Sequence, residues 1–269
     1  MRLIIRASGS ISQPERIRKM YQFFIEDRNV SDGFVTIEGN DVNHIKNVLR
    51  MKPGEEIRVC TRDGRNYFCS ISDITDSFVR ADILEKEAKS TELPCKIYLF
   101  QGLPKSDKME WIIQKTVELG VYEVIPVAMK NCVAKLDDKK AKSKVSRWQA
   151  IAESAAKQSK RSLIPEIKMP MTYKEALSYA RELDVKLVPY ENERGMAGTK
   201  TAVNEIKAGS RIAVFIGPEG GFSPEEIDMI KDEMQLISLG KRILRTETAA
   251  ITTLAILGYH LESSEEIQE

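Results

Sequence analysis

The chain has little of what metal or disulfide chemistry requires: its 269 residues hold four cysteines and two histidines. Cys60, Cys69, Cys95 and Cys132 stand far apart and form no CxxC pair, so neither a zinc site nor a disulfide framework is spelled out. His44 and His260 alone cannot build a His-rich metal site. Thiols without a framework fit a reducing cytoplasm. Long apolar runs are also absent: nothing approaches the ~20 residues of a membrane helix. The N-terminal "MRLIIRASGS" has too short an apolar core for a signal peptide. Even a surplus of one charge is lacking, since 41 Lys/Arg against 40 Asp/Glu leave a net charge of +1. At 42% hydrophobic and 30% charged, the composition is that of a folded globular chain, long enough for one large domain or two ordinary ones.

The balanced total conceals an uneven distribution. From Lys130 to Lys168 there are eleven Lys/Arg against four Asp/Glu, an excess of +7, and the acidic "ESSEEIQE" at the C-terminus hides it. Such a run is either a solvated helix face or a surface for nucleic-acid phosphates.

The chain changes character near residue 90. Before it, short β-rich pieces ("YQFFIE", "GFVTIE", "EIRVCTR", "RNYFCSISDI", "SFVRADILE") alternate with Asp32-Gly33, Pro53-Gly54 and Asp63-Gly64, the last reading as a hairpin turn. "NDVNHIKNVLRM" reads as one short helix among them. Residues 20–90 are therefore expected to form a small β-barrel. "KEAKSTELPCK" is a polar boundary ending at Pro94, with Cys95 and Lys96 opening the next strand. From 94 to 264 strands ("KIYLFQGL", "YEVIPVAM", "VKLVPYE", "RIAVFIG", "LISLG") alternate with helices ("KMEWIIQKTVELG", the basic stretch around Trp148, "TYKEALSYAREL", "PEEIDMIKDEM"), the pattern of an α/β fold with a mostly parallel sheet. Residues 265–269 are an acidic tail. Residues 1–19 fit neither half; they carry Arg2, Arg6, Arg16, Arg18 and Lys19, and Met20 is an alternative start.

Two strand ends carry the chemistry. "FIGPEGGFSPEEI" places Gly217, Pro218, Glu219, Gly220 and Gly221 after a strand apolar throughout, then a helix start with Ser223 as N-cap, Pro224 at the first position and Glu226 closing a capping box. Ligands of open α/β sheets sit at such carboxyl ends. The pattern is neither GxGxxG nor GxxxxGK[ST], so both phosphate-binding fingerprints fail. "LISLGKRILRTETAAITTLAILGYHLE" again runs strand, Gly240, polar loop, helix; Lys241, Arg242, Arg245, Thr246, Glu247 and Thr248 crowd the loop, and the helix is apolar nearly all round, hence expected to be buried. With "LVPYENE" as a third wall, the loops would enclose a backbone-lined pocket suited to an adenosine rather than a polyphosphate.

Together, "FIGPEGGFS", "LGKRILRTETA", "KTVELGV" and "NHIKNVLRMKPGE" resemble the RsmE-type 16S ribosomal RNA uridine-N3 methyltransferases, of the SPOUT class, over nearly the whole chain from Met20. "GPEGG" by itself is shared among knotted methyltransferases; "RILRTETA" beside it makes the resemblance specific. The resemblance implies a PUA-like RNA-binding barrel, a SPOUT domain with a deep trefoil knot, a homodimer, and S-adenosylmethionine as methyl donor. It further implies action on 16S rRNA within the assembled 30S subunit, with no metal and no membrane. The cofactor loops would map onto Leu187, Val188, Pro189 and Glu191; Ile216, Gly217, Pro218, Glu219, Gly220 and Gly221; and Leu239, Gly240, Ile243, Leu244, Arg245, Thr246 and Thr248.

Methylating N3 of uracil requires loss of a proton and stabilisation of charge on the flanking carbonyl oxygens. Arg245 is the expected cation, with Lys241 or Arg242 as substitutes; Thr246 and Thr248 would orient the ring or the cofactor carboxylate. Glu219 or Glu247 would be the base if burial raised its pKa. His260 is expected to be structural. RNA contacts are expected at His44, Lys46 and Arg50 in the barrel's helix and at Lys139, Lys140, Lys142, Lys144, Arg147, Lys160 and Arg161 in the basic run. Trp111 and Trp148 are expected in core or dimer packing rather than as base-stacking platforms. Two alternatives remain open: a non-catalytic RNA-binding assembly factor, and a methyltransferase acting on another rRNA or tRNA position.

Overall fold

A computed structural model describes residues 20–87, 90–134 and 136–265. The stretch 1–19 and its alternative start at Met20 lie outside or at the edge of the described residues, as does most of the acidic tail.

The first sheet is built from β1 (Tyr21–Ile25), β2 (Val30–Ser31), β3 (Phe34–Glu38), β4 (Glu56–Thr61), β5 (Asn66–Ile74) and β6 (Phe78–Glu87), in the order β1-β4-β5-β6-β3-β2. All neighbours are antiparallel except β1 with β4. The sheet curls until β1 and β3 touch. It encloses Val35, Ile37, Ile57, Val59, Ile71 and Val79, with Ile45 plugging one end. Asp63-Gly64 forms the β4–β5 turn, Gly64 taking the positive φ of 85° that makes glycine the fitting residue there. The expected single helix is α1 (Asn40–Asn43) continued by a π-helical segment, His44–Val48.

The second sheet is parallel throughout: β7 (Lys96–Gly102), β8 (Val121–Ala128), β9 (Glu166–Ile167), β10 (Met171–Thr172), β11 (Val185–Pro189), β12 (Arg211–Ile216) and β13 (Gln235–Ile237). The order is β10-β8-β7-β12-β11-β13, with β9 beside β8. Helices cover both faces, as a parallel sheet buried on both sides needs. On one face lie α2 (Lys108–Glu118), α3 (Asp138–Ser159), α5 (Ala197–Asn204) and α7 (Thr246–Glu265); on the other, α4 (Tyr173–Ala180) and the short α6 (Pro224–Asp228). Phe100 and Phe215, register partners on β7 and β12, stack with centroids 4.3 Å apart. Gly120 stops α2 at φ +91°. Helix α5 was not foreseen, because "AGTKTAVN" is short, holds one Gly and two Thr among eight residues and carries only a weak apolar stripe.

Contrary to expectation, α7 is not buried all round: Tyr259 is 78% exposed, and Ala255 on the same face is open. Trp111 on α2 is 52% exposed, with the Lys115 ammonium over its ring, whereas Trp148 on α3 is in the core.

The two sheets meet through a buried polar seam. Arg58 on β4 donates to Glu87, to Gln22 at 2.8 Å and to the Lys160 carbonyl at 2.6 Å. Asn66 donates to the Ser162 hydroxyl at 2.8 Å, and Gln22 to the Arg161 carbonyl at 2.6 Å. Arg161 was expected on an RNA-facing surface. Instead its guanidinium is buried, pairing with Glu92 and donating to the Val117 and Val121 carbonyls, so it has no face to offer phosphate.

Candidate functional site

The carboxyl ends of β11, β12 and β13 converge, and the loops that leave them enclose a cavity of about 360 Å³. Pro189 and Glu191 come from the first loop, Ile216 to Glu219 and Gly221 from the second, and Leu239, Gly240 and Ile243 to Thr246 from the third. Those expected residues are brought together. Others are not. Leu187 and Val188 are fully buried in the sheet core, so the wall begins one residue later, at Pro189. Gly220 is exposed outside the lining, against Asn131, and Thr248 is exposed in the first turn of α7.

The glycines of "GPEGG" serve different ends. Only Gly221 has positive φ (65°). A Cβ on Gly217 would lie 3.2 Å from Phe222 and 3.3 Å from Gly221, and one on Gly220 2.9 Å from the Asn131 Cβ. Gly102, at the end of β7, lets Pro218 approach: a Cβ there would come within 2.7 Å of its ring and nitrogen. The loop is thus folded tightly on its own neighbours, which leaves its backbone to line the cavity. Asn131 holds it from behind, donating to the Gly220 and Gly221 carbonyls at 3.0 and 3.2 Å. The capping box of Ser223 and Glu226 forms as expected, and Glu226 also accepts from the Lys130 N–H at 2.8 Å.

Thr246 joins two of the walls. Its hydroxyl donates to the Gly217 carbonyl at 2.7 Å and accepts from the buried Gln101 amide at 2.9 Å. The hydroxyl proton is therefore committed to holding the loops together rather than free to orient a ring or a carboxylate. Gln101 and Asn131 were missed in the sequence, where a glutamine in an apolar strand and an asparagine after one carry no spacing signal.

The two candidate bases share a partner that was also missed. Lys108, in the first turn of α2, sits 3.0 Å from Glu219 and 3.4 Å from Glu247. Glu219 accepts the Lys105 N–H as well, at 3.1 Å. Burial pushes the Glu219 carboxyl up, but the Lys108 ammonium and the backbone N–H groups outweigh it and hold its pKa below the ordinary carboxylate value. The condition for Glu219 as a base, a raised pKa, is not met. The contact to Glu247 is an ion pair without hydrogen-bond geometry, and the buried Glu247 Oε2 has no hydrogen bond among the described residues.

Arg245 lines the cavity, exposed and without an ion pair among the described residues; Arg194, Lys241 and Arg242 do the same. Glu191, Glu193 and Glu219 supply the opposite sign, and Leu239, Ile243, Leu244, Phe222 and Pro218 the apolar surface. Such a lining suits a ligand carrying a flat ring together with separated positive and negative groups. No group of His, Cys, Asp and Glu placed to hold a metal ion occurs among the described residues.

The basic residues divide. Lys139, Lys140 and Lys142 are exposed on α3, Lys140 beside its own N-cap Asp137. Lys144 and Arg147 reach across to α2, Lys144 to Asp107 at 3.5 Å and Arg147 to Glu110 at 2.7 Å. Lys160 caps α3 in the left-handed region, at φ +63°, and is exposed. On the first sheet His44, Lys46 and Arg50 are all exposed, Lys46 being paired with Asp76 at 2.6 Å.

Known proteins share this arrangement. Residues 91–258 match the family described as an RNA methyltransferase domain, and residues 37–84 the RNA methyltransferase PUA domain. Ribosomal RNA small subunit methyltransferase E of Bacillus subtilis is 38% identical over 231 residues, covering 84% of this chain and 90% of that protein. Its namesake from Mesomycoplasma hyopneumoniae is 36% identical over 236 residues, covering 87% and 97%. The crystal structure of the Neisseria gonorrhoeae protein of that name, bound to S-adenosyl methionine, superposes with a TM-score of 0.78 at 32% identity, covering 89% of this chain and 97% of that one. Matching over both sheets and at identities above the level at which only fold is shared, the chain belongs to the ribosomal RNA small subunit methyltransferase E family.

Proposed function

We propose that this chain transfers the methyl group of S-adenosylmethionine to N3 of a uridine in the 16S RNA of the small ribosomal subunit, acting on the assembled 30S particle. The observation that carries the proposal is the cavity at the ends of β11, β12 and β13, backbone-lined and bearing both signs of charge, on the same chain as a PUA-type sheet.

The donor set fits the methyl donor. Glu191 and Glu193 suit its ammonium and ribose hydroxyls, Arg194 its carboxylate, and Leu239, Ile243 and Leu244 its adenine. When bound, it supplies an electrophilic methyl on a sulfonium. The chain's own residues position the ring nitrogen against it, a contribution worth up to ~7–11 kcal/mol in favourable cases. Arg245 stabilises the charge that deprotonation leaves on the uracil oxygens. Glu219 is not poised as a base, since the Lys108 ammonium and backbone N–H groups hold its pKa below the ordinary carboxylate value. In this reading the N3 proton leaves to solvent and Arg245 stabilises what remains.

The exposed Lys139, Lys140, Lys142 and Lys160, with His44, Lys46 and Arg50, form the RNA-facing surface. The division into an RNA-binding barrel at 20–90 and a catalytic domain at 94–264 belongs to the same reading, as does a cytoplasmic location. So does the trefoil knot: β12 lies between β7 and β11, and α7 returns across it onto α2. A homodimer is supported by the open face of α7 around Ala255 and Tyr259, and by the exposed Trp111 on the neighbouring α2. No helix among the described residues is long and apolar enough to cross a membrane.

The test is methylation of 30S subunits from cells lacking the modification, using labelled S-adenosylmethionine, with nucleoside mass spectrometry and with free 16S rRNA and tRNA in parallel. N3-methyluridine in subunits alone is expected. Label in tRNA overturns the substrate. Absence of both label and cofactor binding overturns the enzyme in favour of an assembly factor.

A further inference from the structure

Lys108 opens α2, at the end of the helix whose dipole repels a cation. Nothing in helix propensity asks for a lysine there. What faces it explains its place: Glu219 from the glycine loop and Glu247 from the first turn of α7, both within 3.4 Å of its Nζ. Glu219 and Lys108 line the cavity and Glu247 follows its lining residue Thr246, while the Lys105 N–H just before α2 also reaches Glu219. Without the ammonium, two partly buried carboxylates, 24% and 17% exposed, would confront each other, and like charges so placed cannot both stay ionised cheaply.

We propose that Lys108 is a positioning residue of the methyl-transfer site: its ammonium, facing a carboxylate from each, clamps the glycine loop to the start of α7. The inference rests on the function proposed above. The other charged groups lining the cavity are Glu191, Glu193, Arg194, Lys241, Arg242 and Arg245; next to Lys108, Asp107 is taken up by Lys144. None of these reaches the two carboxylates with an ion pair, so Lys108 has no stand-in among the described residues.

The sign follows from the site. A carboxyl whose folded pKa is depressed keeps its contribution above the ordinary value and loses it as pH falls. Removing Lys108 leaves burial opposed only by the backbone N–H groups at Glu219, so protonation begins at a higher pH and the clamp's contribution is lost earlier on acidification.

The experiment uses the full chain with Lys108→Met, Lys108→Arg and, as a second route to the same clamp, Glu247→Gln. Carboxyl ¹³C signals of glutamate are titrated in the ligand-free protein, with Glu219→Gln assigning the resonance. S-adenosylmethionine binding is measured by calorimetry at about pH 5 and about pH 8. In Lys108→Met the Glu219 midpoint should rise by at least about one unit, and binding should weaken more at the acid pH than at the alkaline one. Lys108→Arg should restore the midpoint. An unmoved midpoint in Lys108→Met, or one that Lys108→Arg fails to restore, overturns the clamp. If the unaltered protein does not bind S-adenosylmethionine, the proposed function falls, and the titration alone still decides whether the clamp exists.

Discussion

Replacing Arg161 by methionine separates two readings of one residue. Its guanidinium is 4% exposed; it pairs with Glu92 and donates to the Val121 carbonyl at 2.5 Å and the Val117 carbonyl at 3.2 Å. Methionine fills much of the volume but satisfies none of these. Glu92 keeps the Ser162 and Leu163 N–H groups at 2.7 and 3.3 Å and is 17% exposed, so water softens its loss. Breaking a buried pair from one side costs about 3–5 kcal/mol, and that partial exposure places this case near the lower end. For a domain of this size a loss of about 3 kcal/mol lowers Tm by on the order of 10 °C. Differential scanning calorimetry reads this directly. RNA binding measured against salt supplies the contrast, because removing a cation that neutralises one phosphate reduces the slope of log K against log salt by about one. A Tm within about 2 °C of the parent, with a slope reduced by one, would refute the buried-anchor reading.

Gly102→Ala should disturb the cavity from behind. The new Cβ would stand 2.7 Å from Pro218, forcing the glycine loop outward at a cost of about 1–3 kcal/mol; unchanged S-adenosylmethionine affinity by calorimetry would contradict this. Arg245→Ala should lower turnover by about 100-fold while barely changing cofactor affinity, and equal losses in both would make it a binding residue. Neutralising Lys139, Lys140, Lys142 and Lys144 together should reduce the salt slope of RNA binding by about two rather than four, because Lys140 and Lys144 already face carboxylates; an unchanged slope returns the run to a solvated face.

What was legible in the sequence is what local chemistry determines. The alternation of apolar strands and amphipathic helices, the Asp63-Gly64 turn, the Gly120 stop and the Ser223 capping box each act over a few residues, and each is where its pattern put it. The three loops of the cavity were legible because strand ends in a parallel sheet share one edge. The residues behind the loops were not. Gln101, Lys108 and Asn131 act through partners 145, 139 and 90 positions away in the chain at most, and no spacing rule reaches that far. Arg161 was misread for the same reason: within "KQSKR" it looks like the end of a basic run, and only the pairing of β8 and the position of Glu92 show that the chain turns inward there.

That inward turn changes what the basic helix means. One side of α3 buries Trp148, Ala152, Ala155 and Ala156 against the core of the second sheet, while Lys139, Lys140 and Lys142 stand in solvent near its start. Its far end does something else: the Lys160 carbonyl accepts from Arg58, Arg161 enters the core, and Ser162 receives Asn66 from β5. Lys157 adds an ion pair to Asp41 of α1 at 3.2 Å. A single rigid helix therefore presents lysines at one end and is bonded to the first sheet at the other. RNA held by both surfaces would meet them at a fixed separation, since 22 residues of helix span about 33 Å. A flexible linker would let the barrel search for RNA independently of the cavity. A buried polar seam gives that freedom up and holds the two at one spacing, which suits a substrate whose own shape is fixed better than it suits a mobile single strand.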